Sequence, residues 1–245
     1  MASIAVQAQS WATKRMESTV MNLKKSEWFA LTGLLVLSFV PSVGGALRLL
    51  DLNTSMSMAF LPENLRVLSA PLPVEFHIFS SVPYCILGIF QFLPTIRRRH
   101  PLWHRCAGKL LVVAGLVSAL SGLWMTHMYA FPEGLQGDLL FVVRNIVSLA
   151  MVLFILLGLS SVLSKKIALH QAWMIRAYAL GQGAGTQGFV MLPWIIAVGE
   201  PSGLARDVLM TTGWAINIIV AEWVIQAGRE SREVYSSTTS PSRFA

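Results

Sequence analysis

A chain of 245 residues that is 54% hydrophobic and 13% charged, with a mean hydropathy of +0.60, carries about half the charge of a soluble globular domain. It is too poor in charge to wet its own surface, which excludes an ordinary water-soluble domain and makes the bilayer the expected solvent. The net charge of +7 does not argue for nucleic acid, because the cations sit between apolar runs instead of forming a basic stripe on a folded face.

Residues 1–27 mix Lys14, Arg15, Lys24 and Lys25 with Gln7, Glu17 and Asn22. They have neither the continuous apolar core nor the small-residue cleavage site of a signal peptide, and read as a cytoplasmic arm along the membrane surface. Six apolar stretches follow, at 28–50, 76–96, 106–129, 138–163, 171–198 and 206–227. Each is long enough for the roughly 20 helical residues that cross a hydrocarbon core. Lipid offers backbone groups no hydrogen bonds, so the segments should be helices. The expected fold is therefore all-α: an integral membrane bundle of six transmembrane helices over 28–227, with helices two to five as a four-helix core.

Pro41, Pro83 and Pro193 predict kinks, which packed membrane helices tolerate. Trp28, Trp103, Trp124, Trp194 and Trp223 fall near predicted helix ends, as interfacial aromatic belts require. The longest loop, 51–75, contains Pro62, Pro71 and Pro73, and its Asn53-Thr54-Ser55 matches a glycosylation sequon. The segment 228–245, ending "SSTTSPSRFA", is polar and low in complexity, the composition of a disordered tail. Cys85 and Cys106 have no metal-binding or redox spacing and read as reduced packing residues.

The densest cationic cluster, "RRRHPLWHRCAGK" (97–109), lies between the second and third stretches. Together with Lys165, Lys166, the first 27 residues, Arg229 and Arg232, it falls on one side, against only Arg48, Arg66 and Arg206 on the other. Basic loops stay cytoplasmic, so both termini are expected in the cytoplasm of a plasma (bacterial inner) membrane crossed several times. A weak echo links this cluster to "SKKIALHQAWMIR" (164–176), each a basic loop preceding a histidine that opens a helix.

Ionisable groups at membrane depth are costly and usually face a bundle interior. They fall in two layers here: His104, Arg105, Lys109, His170, Arg176 and Glu222 near the cytoplasmic face, and Glu75, His77, His127 and Arg144 near the outer face. Between them lie Gln91, Asn217 and "GQGAGTQG" (181–188). This last run favours close helix approach and equally suits a cavity wall with Gln182 and Gln187 as hydrogen-bonding groups. His104 and His170 open two helices from the same side and have the chemistry of paired axial haem ligands. His104 and His127 are 23 residues apart, about 34 Å along a helix, so they cannot share a haem. Arg176 and Glu222 are placed to form an ion pair between the fifth and sixth helices, and Arg144 to pair with Glu75 or accept an anion.

The ordered set His77, Gln91-Phe92, His104-Arg105 with Gly108, and His170 with Trp173, Met174 and Arg176 resembles a family of predicted bacterial integral membrane proteins known only as a domain of unknown function. The resemblance covers about residues 76–190 and implies no activity. A looser likeness is to cytochrome b561-type proteins, six-helix membrane proteins whose haem-ligating histidines are spread over four successive helices. This chain departs from them, with no histidine on its fourth helix and two on its third. Two main functional expectations result, with a third beside them. One is haem b-dependent electron transfer, with His104 and His170 as iron ligands, His77 and His127 for an outer haem, and Arg105 and Arg176 steadying propionates. The other is haem-free binding or transport of a small lipophilic or anionic ligand by Arg144, Gln91, Gln182 and Gln187. An intramembrane enzyme using Glu75 or Glu222 as acid is a third. The expected partners are the bilayer, a quinone or similar small lipophilic or anionic ligand, and a second copy of the chain.

Overall fold

In the computed structural model the described residues are 23–53 and 65–239, and among them the regular structure is entirely helical. The helices are α1 (Lys25–Asn53), α2 (Leu65–Ser69), α3 (Leu72–Gln91), α4 (Pro94–Arg99), α5 (Pro101–Met128), α6 (Asp138–Leu163), α7 (Ile167–Gly181), α8 (Gly183–Val198) and α9 (Gly203–Thr239). Five of these, α1, α3, α5, α6 and α9, are long and apolar enough to cross a membrane. Their outward faces are greasy: Phe29 is 85% exposed, Leu163 76%, Leu102 71% and Leu204 71%. No folded surface in water keeps so much large apolar surface uncovered, so these faces belong against lipid. The chain is a membrane protein with several membrane-crossing helices.

Two apolar stretches end differently from the sequence expectation. The second, expected to run to residue 96, stops at Gln91, and Leu93 turns extended at φ −81°, ψ 110°. Pro94 disfavours helical geometry in the residue before it, and the chain restarts as α4. The fifth, expected as one helix over 171–198, is split at Gln182 into α7 and α8. Gly181, Gly183 and Gly185 weaken the helix there, by about 1 kcal/mol each relative to alanine. Pro41, Pro83 and Pro193 all sit inside continuous helices, as expected.

Helices α3, α5, α6 and α7 pack in succession, with α3 touching α7 to close the set. Helix α1 lies against α3 and α8, and α9 against α7 and α8. The interior is a stack of large side chains set against small ones. Tyr84 fills the space over Gly115 and Gly181, and Tyr178 that over Gly88. Ile89, Met151, Ile155 and Ala177 complete the layer.

The ends are tied by two buried carboxylates. Glu27, assigned by composition to the surface arm, lies in the first turn of α1 and is 5% exposed. It accepts the Thr95 N–H at 2.8 Å, the Thr95 hydroxyl at 2.7 Å and the Lys24 N–H at 2.9 Å. This caps the otherwise unpaired start of α4. At the opposite end Asp207 of α9, 1% exposed, accepts the Gly137 and Leu140 N–H groups, both at 3.1 Å. It serves as the N-cap of α6 from a different helix. The tail was expected to begin at residue 228; α9 continues unbroken to Thr239, through residues 228–239 that contain no proline and only one glycine. The arm before residue 23, the loop 54–64 holding most of the sequon, and residues 240–245 lie outside the described residues.

Candidate functional site

The basic end carries the proposed inner haem ligands. His104 sits on the first turn of α5 within electrostatic range of Arg97 and His170, and its Nδ1 is buried without a hydrogen-bond partner. His170 Nδ1 lies 2.8 Å from the Gly158 carbonyl oxygen on α6. A carbonyl only accepts, so Nδ1 carries a hydrogen, and in the neutral imidazole the lone pair is then on Nε2. The seam between α6 and α7 is closed at this level. A Cβ on Gly158 would meet Met174 Cε at 2.9 Å, and Phe154 stacks on Trp173 with centroids 5.4 Å apart.

The cations expected to steady propionates are engaged or directed elsewhere. Arg176 forms the expected interhelical ion pair with Glu222, bidentate through Nε and through Nη2 at 2.8 Å, and lies 4.7 Å from the Trp173 ring. Arg105 is exposed, with Nε 3.3 Å from the Pro101 carbonyl. Gln91, the last residue of α3, also belongs to this end. Its Oε1 lies beside Gly108, and its Nε2 is buried without a partner. It stands 14 residues from His77, about 21 Å along the helix, and so does not join Arg144, Gln182 and Gln187. Among the described residues, no three His, Cys, Asp or Glu side chains cluster to hold a metal ion.

The outer histidines do not face one another. His77 Nδ1 donates to the Ser118 carbonyl at 3.0 Å and is 3.2 Å from the Ser121 hydroxyl. His127 lies six to nine residues further along α5, about 9–13 Å away along the axis. It is exposed, bonds Asn145 Oδ1 at 2.7 Å, and meets Phe141 edge to face. An outer bis-histidine haem site is therefore not assembled: helical phase and rise put the two imidazoles at different levels and on different faces.

The non-basic half of the bundle holds a cavity of about 400 Å³, within the range of small-molecule sites. Toward the non-basic ends of the helices it is lined by Arg48 of α1, Arg144 of α6, Tyr129 and Phe131. Arg144 does not reach Glu75 as expected. It donates to Gln136 and lies over Phe131, 4.8 Å from the ring centroid. Arg48 is paired with Asp51 at 2.9 Å. Midway are His77, Ser118 and Ser148, and the floor is made by Cys85, Met151, Leu180, Gln182, Gln187 and Trp214.

The break between α7 and α8 shapes this floor. Gly185 N–H turns to the Gln182 carbonyl at 3.1 Å, and two carbonyls at the end of α7 take side-chain donors. Asn217 Nδ2 donates to Ala179 O at 2.9 Å, and the Cys85 thiol to Gly181 O at 3.4 Å. Gln182 Nε2 donates to Tyr178 Oη at 2.6 Å and Ser38 Oγ at 3.0 Å, while Gln187 Nε2 donates to Met210 O at 3.0 Å. The glycines here serve close packing as well. A Cβ on Gly185 would lie 2.1 Å from the Leu37 carbonyl oxygen, so α1 and α8 touch backbone to backbone. Both readings of "GQGAGTQG" thus hold at once.

Three of the four residues expected for a ligand site, Arg144, Gln182 and Gln187, line this one cavity, with His77 added from the haem set. Arg48, Ser118 and Trp214 were not expected. Arg48 was counted only among the cations of the outer side, and its place inside the apolar stretch 28–50 was the available signal.

No curated protein and no solved structure matches the chain, so the likeness to cytochrome b561-type proteins finds no support among them. A family model described as a predicted membrane protein, DUF2306, matches residues 74–225. That match takes in α3 to α8 and most of α9, including the cavity walls other than α1 and α2, and covers more than half of the sequence: the chain belongs to the DUF2306 family of predicted membrane proteins.

Proposed function

We propose that this protein binds, or passes across the bilayer, a small lipophilic or anionic ligand, held in the cavity beneath Arg48 and Arg144. In this reading α7 and α8 together make the fifth of six passages, both termini are cytoplasmic in a bacterial inner membrane, and the cavity opens to the outside. The observation that carries it is the convergence of two arginines, His77 and two buried glutamines on one cavity. Ionisable groups at such depth mark ligand or ion pathways more often than they serve packing. A broken helix lining a cavity is likewise the setting in which irregular backbone is tolerated inside a membrane.

Gly122 faces His77 and Ser148 across this space, with 3.5 Å from its Cβ position to His77 Cε1. Gly122→Leu therefore fills the cavity. Native mass spectrometry of the protein released from its own membranes should find a small molecule retained by wild type and lost from Gly122→Leu. Equal retention by both would refute the reading.

A haem b held by His104 and His170 is the second reading. Its support is the His170 tautomer with Nε2 left to ligate and the buried, unpartnered His104 nitrogen. The closed α6–α7 seam beside His170 weighs against it. A Soret band in the purified protein that His170→Ala abolishes would favour haem over the cavity.

A further inference from the structure

We infer that the cavity takes a neutral lipophile with a hydroxyl head, a long-chain aliphatic alcohol whose O–H is received by His77 Nε2. This inference rests on the reading of the cavity as a ligand site and names what fills it. The charged and amide groups of the lining are already answered within the protein. Arg48 pairs with Asp51, and Arg144 donates to Gln136. Gln182 directs its amide hydrogens to Tyr178 and Ser38, and Gln187 directs its own to Met210.

His77 differs from these. Its Nδ1 lies 3.0 Å from the Ser118 carbonyl oxygen, which only accepts, so Nδ1 carries a hydrogen. In the neutral imidazole the lone pair is then on Nε2, and among the described residues no donor meets it. Ser118 and Ser148 line the cavity beside it, and their hydroxyls likewise have no partner among the described residues. A hydroxyl on a helix commonly turns back to a carbonyl one turn earlier, as those of Ser80, Ser121, Thr126 and Ser161 do. The Cβ position of Gly122 lies 3.5 Å from His77 Cε1 and 3.7 Å from Ser148 Oγ, so the imidazole and that hydroxyl border one small space. There a ligand hydroxyl donates to Nε2 and accepts from serine. A ketone, ether or carboxylate accepts from serine and leaves Nε2 bare.

The body of the ligand follows from the rest of the lining, which includes Val82, Met125, Met151, Leu180 and Trp214. Water satisfies the polar groups but gains nothing against this wall, because apolar cavity surface stays dry. A hydrocarbon chain covers it. Helix α1 contributes Pro41 and Ser42 to the cavity, while its Phe39, Val40 and Val43 are exposed on the lipid side. One helix thus separates the site from a leaflet in which such a molecule dissolves.

Binding of tritiated dodecanol to the full-length protein in detergent is measured above that of Gly122→Leu, which fills this space and sets the background of micelle uptake. Unlabelled dodecanol should compete, while dodecyl methyl ether and dodecanoate should each need about tenfold more, since each leaves one buried acceptor unmet. His77→Phe should bind dodecanol about tenfold more weakly and no longer distinguish it from the ether. Where that variant does not fold, Ser148→Ala, which breaks no bond within the protein, should weaken dodecanol about fivefold. Unchanged dodecanol affinity in the folded variants would overturn the placement of the head. Equal competition by dodecyl methyl ether would overturn the hydroxyl donor, and equal competition by dodecanoate the neutral head. No dodecanol bound above background, with a retained molecule still found in the wild type but not in Gly122→Leu, would refute the alcohol and leave the ligand site standing.

Discussion

Asp207 illustrates how single residues hold this protein together. Its two oxygens cap α6 from α9, and a Cβ on Gly137 would come within 2.5 Å of Oδ2, so the pocket is cut to fit a carboxylate. Replacing it with alanine leaves two backbone donors without their acceptor at a fully buried position, at a cost of about 1–3 kcal/mol. Asp207→Ala should therefore melt well below wild type in detergent, with Asp207→Asn, which keeps one acceptor oxygen, in between. Equal melting temperatures for all three would contradict the capping role. Asp207 and Glu27 were not legible in the sequence, because a charge near the end of an apolar stretch looks the same whether water or a neighbouring helix satisfies it. Arg144, Gln182 and Gln187 were legible, since their polar groups fall within runs that are otherwise apolar. Gln91 was misplaced for a related reason: depth along a helix can be counted, but the neighbour at that depth cannot.

At the scale of elements, the helix that is broken matters more than those that are straight. The sequence run from 171 to 198 stays apolar throughout, and hydropathy alone joins it into one rod. What divides it is the glycine-rich run around Gln182, together with side-chain donors from other helices, Asn217 and the Cys85 thiol, and the Cys85 carbonyl that accepts from Gln182 Nε2. Those partners come from α3 and α9, distant in sequence, which is why the break could not be read in advance, whereas α6 matched its expected limits of 138 and 163. Asn217 both donates to Ala179 O and accepts the Thr186 hydroxyl at 2.6 Å. Asn217→Leu strands both groups, so it should lower the melting temperature by the equivalent of about 1–3 kcal/mol. A variant as stable as wild type would show that the break does not depend on these bonds.

For the whole molecule, composition was enough to predict a helical membrane protein, because an uncovered apolar surface has no other solvent. The cavity was not legible, since it arises where α1, α2, α3, α5, α6, α7, α8 and α9 converge. Its proposed role depends on its lying inside the bilayer and opening opposite the basic loops, which holds only if α7 and α8 jointly cross. Ser164 and Ser202, both exposed, flank that pair. In a background with Cys85→Ser and Cys106→Ser, a membrane-impermeant maleimide applied to intact cells should label Ser202→Cys and leave Ser164→Cys untouched until the membrane is opened. Labelling of both from outside, or of neither, would place the two ends of α7–α8 on one side and contradict the six-passage bundle and the outward-facing cavity with it.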